Sequence, residues 1–74
     1  MIWEVESMQA GVRNQLTGEI IEIKNGDLMS EVVIKVGDNE ITSVMTTESL
    51  QKAGFKVGDT ATALIKAINV VMVK

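Results

Sequence analysis

The stretch LTGEIIEIKNGDLMSEVVIKV, residues 16–36, decides how the chain is read. Two runs rich in Ile and Val flank Asn25-Gly26-Asp27. Asn and Gly tolerate the positive φ of tight hairpin turns, so the runs read as antiparallel strands over residues 16–24 and 28–36. Val32, Ile34 and Val36 fall on one face of the second strand. The first strand breaks its alternation at Ile20-Ile21. A β-bulge explains that break, and so does a strand covered on both faces.

The pattern continues outward. Gly37-Asp38-Asn39 reads as a second turn, followed by a strand over residues 40–45. TTESLQKAGF then reads as one short helix. Thr46 is its expected N-cap, Glu48 suits the first turn, Lys52 the last, and Gly54 the left-handed stop. Lys56-Val57-Gly58-Asp59 turns the chain into a fourth strand over residues 60–66, with a fifth over residues 68–73. The order β-β-β-α-β-β predicts an all-β domain with one short helix, an OB-like five-stranded barrel. The fifth strand is apolar on both faces, with Ile68, Val70 and Met72 on one side and Val71 and Val73 on the other. Either a longer barrel or a subunit contact would cover the second face.

Composition narrows the function. The chain has 74 residues, 46% apolar and 23% charged, which predicts one folded domain. So small a core needs a staple, and with no cysteine a disulfide is ruled out. Oligomerisation is the staple that remains. Without His or Cys, imidazole and thiolate metal sites are excluded, as are the commonest general base and the best nucleophile. No enzyme is expected. A net charge of −3, with one Trp, one Phe and no Tyr, disfavours nucleic-acid binding. No apolar run reaches the ~18 residues of a membrane span, and no signal peptide is read at the start, so the expected compartment is the cytoplasm. Residues 1–9 read as an N-terminal extension to a domain over residues 10–74.

One set of polar groups falls at element ends. It comprises Arg13, the only arginine, with Thr46, Ser49, Lys66 and the backbone of Gly11, Val12 and Arg13. All are hydrogen-bond donors. Arg offers a planar fork and Lys a point charge, and a donor-rich set with two cations suits a dianion that accepts everywhere and donates nothing. Each member also has a plain reading. Ser or Thr at a helix start is usually a cap, and an Arg or Lys at a strand end is usually a solvated charge.

Three motifs carry a resemblance to a known family. Gly11-Val12-Arg13-Asn14-Gln15-Leu16-Thr17-Gly18 resembles Ser-Ala-Arg-Asn-Gln-Leu-x-Gly. Met45-Thr46 with Ser49 resembles Val/Ile-Thr-x-x-Ser. Val57-Gly58, Ile65-Lys66-Ala67 and Val71-Met72 resemble a late Val-Gly, Ile-Lys-Ala and Val-Met. Together they cover residues 10–74 and are similar to the molbindins, small proteins built from one Mop domain of the TOBE type. The resemblance implies a homohexamer, a trimer of dimers, that binds molybdate or tungstate between subunits for storage in the cytoplasm. No other cofactor is implied. It assigns the oxyanion to Gly11, Val12, Arg13, Thr46, Ser49 and Lys66, with Asn14 and Ala67 beside them. Gly11 stands where the family has serine, Val12 where it has alanine, and Ile68 where small polar residues follow Lys-Ala. One lost neutral hydrogen bond weakens binding by about 0.5–1.5 kcal/mol, roughly three- to tenfold. The alternative is a scaffold or regulatory module whose oxyanion binding is weakened or lost.

Overall fold

The computed structural model describes residues 12–74, with Val12 by its backbone alone. The expected N-terminal extension and Gly11 lie outside the described residues. The first long strand, β1 (Val12–Lys24), begins earlier than the alternation alone predicts, because Val12, Asn14 and Gln15 pair with a segment distant in sequence. The hairpin partner is β2 (Met29–Val36), and β3 (Asn39–Thr46) follows it. Next come α1 (Thr47–Ala53) and β4 (Thr60–Lys66). The strands form one four-stranded antiparallel sheet in the order β3-β2-β1-β4, curled into a half-barrel.

The break at Ile20-Ile21 is a bulge. Ile20 pairs with Ile34 and Glu22 with Val33, so Ile21 is the extra residue. An extra residue resets the two-residue period of a strand. Ile20 and Ile23 thus both turn to the core, while Glu22 stays exposed. Ile20, Val32, Ile34 and Leu50 form the buried centre, flanked by Ile23, Ile41, Met45 and Phe55. The turn at residues 56–59 docks on the bulge. Gly58, at φ 98°, donates its N–H to the Ile20 carbonyl (2.8 Å), and the Ile20 N–H reaches the Asp59 carbonyl (2.8 Å).

The glycines answer to different constraints. Gly37 opens the two-residue β2–β3 turn at φ 59°, as a type II′ hairpin requires. Gly26 has no positive φ, which corrects the expectation of a left-handed Asn-Gly turn. The β1–β2 loop is wider than two residues, and Gly26 is held instead by close approach: a Cβ there would collide with the Met29 carbonyl oxygen.

The expected fifth strand does not form. Residues 67–69 make a 3₁₀ turn, and residues 70–74 carry no regular structure. Ile68, Val71, Met72 and Val73 are 82–90% exposed. Their composition favours extended backbone, but a strand exists only where an edge pairs with it, and the 3₁₀ turn leads the chain off β4. Among the described residues the half-barrel therefore stays open between its two edge strands. A groove of about 400 Å³ lies there, lined by Ile41 and Met45 of β3, Ala63 and Ile65 of β4, and reaching Val32 and Ile34 of the core.

Candidate functional site

The sheet register brings Arg13 and Lys66 together. Val12 pairs with Lys66 and Asn14 with Ile65, so Arg13 is the extra residue of a second bulge, at the junction of β1 with the end of β4. A bulge re-aims a side chain and strengthens local twist. Arg13 and Lys66 are both exposed, and no acidic residue is paired with either in the ladder. Asn14 takes a structural part: its Nδ2 donates to the Ile65 carbonyl across the ladder (3.4 Å) and fastens the strand just after the bulge. Ala67 opens the 3₁₀ turn directly after Lys66, and its carbonyl accepts the Val70 N–H (3.2 Å).

Thr46 and Ser49 form the other pair. Thr46 is the N-cap of α1, with extended backbone (φ −67°, ψ 146°). Its Oγ1 accepts the Ser49 N–H (3.1 Å) and donates to Ser49 Oγ (2.7 Å). The Thr46 proton is thereby consumed, and the outward donor of the pair is the Ser49 hydroxyl. Leu50, 4% exposed, anchors the helix in the core. Gly54, at φ 71°, closes it by donating to the Leu50 and Gln51 carbonyls.

The two pairs stand at opposite ends of the ladder. β1 starts beside Lys66 and runs 13 residues to Lys24, about 40 Å of contour at ~3.3 Å per residue. Thr46 pairs with Met29, beyond the Lys24–Glu31 step. No strand pairing within the chain links the residues of one pair to those of the other.

Sequence reasoning missed a neighbouring cluster. Ser30, 2% exposed, sits on the inward face of β2 beside Val32 and Ile34. Its Oγ accepts the Gly26 N–H (3.3 Å) and meets Thr47 Oγ1 at 2.7 Å, and Thr47 Oγ1 donates to the Gly26 carbonyl (2.8 Å). The signal was a lone serine at an inward position of an apolar strand, since a buried hydroxyl needs partners.

Comparison with known proteins places these features in a family. The TOBE domain model matches residues 11–72. Molybdenum-pterin-binding protein 1 of Clostridium pasteurianum is 38% identical over 66 residues, covering 88% of this chain and 97% of that protein. The structure of a molybdate-binding protein from Sporomusa ovata superposes with a TM-score of 0.82 at 30% identity, over 86% of this chain and 96% of that one. ModG, described as a cytoplasmic molybdate-binding protein and solved with molybdate bound, gives 0.77 at 40% identity. That match covers 82% of this chain and 44% of ModG. With its match to the TOBE model, its curled sheet and its likeness to these relatives along most of its length, the chain belongs to the TOBE-domain family, in its molbindin (Mop) branch.

Proposed function

We propose that the protein binds molybdate or tungstate reversibly, without bond chemistry, at sites completed between copies of the chain. The observation that carries this is the split of the donor groups: two cations at one end of the ladder and a hydroxyl donor at the other. Relatives described as molybdate-binding proteins support the ligand, and in this reading the half-sites are joined where copies meet end to end. Arg13 and Lys66 then match the two negative charges, Ser49 donates its hydroxyl with Thr46 behind it, and the backbone N–H groups of residues 11–13 add to the shell. Gly11 brings no hydroxyl but keeps its N–H. A shell of donors rejects hydrogenphosphate, whose own proton finds no acceptor, and separates sulfate only by size.

Two features support assembly. Ile68, Val71, Met72 and Val73 are exposed, and among the described residues no strand fills the groove between β3 and β4. The segment of one copy fits the open edge of the next, in a closed ring of the hexameric kind the resemblance implies. The role is storage and buffering of the anion, in the cytoplasm.

Titration calorimetry with molybdate, tungstate, sulfate and phosphate tests the reading, alongside native mass spectrometry. The molybdenum or tungsten anion is expected to bind well above sulfate, with phosphate silent. Arg13→Ala removes a charge-assisted contact worth about 1.5–3 kcal/mol, so affinity should fall by roughly ten- to 150-fold. An oligomer that retains no molybdate at any concentration supports the scaffold reading instead and ends this one.

A further inference from the structure

The cluster around Ser30 closes on itself. A hydroxyl has one proton to give. Thr47 Oγ1 gives its proton to the Gly26 carbonyl, so the 2.7 Å contact between the two hydroxyls is Ser30 donating to Thr47. Ser30 Oγ in turn accepts from the Gly26 N–H. The ring runs from Gly26 N–H to Ser30, to Thr47, and back to the Gly26 carbonyl, with every donor used. A fourth bond, from the Thr47 N–H to the Leu28 carbonyl (2.8 Å), ties the same residue to the same loop. Gly26 has no room for a side chain, because a Cβ would strike the Met29 carbonyl oxygen. The loop is therefore seated against the start of α1 at a fixed distance.

Thr47 is the first residue of α1 and lies between Thr46 and the turn that carries Ser49. Its side chain is held from inside the fold, while Thr46 and Ser49 are exposed on the outside. The ring thus sets the rotation of the first helical turn relative to β2. That rotation decides where the one free proton of the hydroxyl pair, on Ser49 Oγ, is aimed.

We propose that Gly26, Ser30 and Thr47 are positioning residues for the oxyanion site, holding the Thr46–Ser49 pair in its donating orientation through a closed ring of hydrogen bonds. This rests on the binding reading above. The ring touches no anion itself. Preorganised donors bind more tightly than donors that must be ordered on binding, so loosening the ring weakens binding even where the fold survives.

Thr47→Val keeps the side-chain shape and deletes the hydroxyl; Thr47→Ser restores it. Molybdate affinity by calorimetry is read with the hydrogen exchange of the Ser49 amide, whose acceptor is Thr46 Oγ1. Thr47→Val is expected to weaken molybdate binding by about tenfold, the equivalent of one neutral hydrogen bond at the upper end. Ser49 exchange should quicken, and Thr47→Ser should restore both. If Thr47→Val does not fold, Ser30→Ala opens the ring from its other side and carries the same expectation. A lower melting temperature with unchanged molybdate affinity and unchanged Ser49 protection reduces the ring to a structural clamp and overturns the proposal. Failure of the binding reading looks different. The unmodified protein then takes up no molybdate, Arg13→Ala changes nothing, and Ser49 protection alone decides whether the ring sets the helix start.

Discussion

The segment that follows β4 offers the sharpest test of assembly. In the single chain Val71 is 82% exposed and Met72 87% exposed, so a carboxylate at either position meets water and leaves the sheet untouched. In an assembly that uses this segment as a strand, successive residues point to opposite faces, and at least one of the two is buried. Burying Ile68, Val71, Met72 and Val73 against a partner is worth about 6–12 kcal/mol per copy, at about 1.5–3 kcal/mol for each large apolar side chain. Association loses about 4–15 kcal/mol of translational and rotational freedom, with side-chain ordering in addition, so the margin is narrow. An uncompensated buried charge costs about 3–5 kcal/mol and reverses it. The double variant Val71→Asp/Met72→Asp should therefore shift the protein to the single-chain mass at micromolar concentration, read by native mass spectrometry and light scattering. Molybdate retention should fall with it, since the half-sites separate. Unchanged oligomeric mass in the double variant refutes the reasoning, and so does an unmodified protein that runs as a single chain.

Three further outcomes concern the fold that carries the site. Leu50→Ala removes a buried anchor of α1 and should lower stability by about 2–5 kcal/mol, seen as a lower denaturant midpoint. Gly18→Ala drives a methyl into the Lys35 carbonyl and to 2.9 Å from a Val36 methyl, forcing β1 from β2. Its expected cost is about 1–3 kcal/mol by chemical denaturation, and wild-type stability would contradict the close approach. Thr46→Ala loses the helix cap, about 0.5–2 kcal/mol, and frees the Ser49 N–H. Its molybdate affinity should fall too, whereas a variant that melts earlier but binds equally well leaves Thr46 a cap and nothing more.

Much of the fold was legible because the local signals agree with the global arrangement. The Ile20-Ile21 doublet marked an irregularity with two readings, and the register with β2 decides for the bulge that turns Ile20 and Ile23 to the same core. Thr46 and Gly54 bound the helix as their types predict. The exceptions share a cause. Arg13 looked like a residue ahead of the first strand, yet lies within β1, because its neighbours Val12 and Asn14 pair with β4, roughly fifty residues away in sequence. Gly26 looked like a turn glycine and is one kept small by the Met29 carbonyl. The fifth strand was read from apolar residues that favour extended backbone, and no edge within the described chain pairs with them.

The sequence by itself determined the first four strands and the helix, the absence of thiol and imidazole chemistry, and the residue types suited to a dianion. Each of these depends on side-chain identity or on neighbours a few positions apart. The tertiary structure alone decided which donors stand together. Register put Arg13 beside Lys66 and sent Thr46 and Ser49 to the far end of the ladder. It also closed the ring through Gly26, Ser30 and Thr47. Those relations depend on backbone pairing between segments distant in the chain, and hydrogen bonds form only at contact distance.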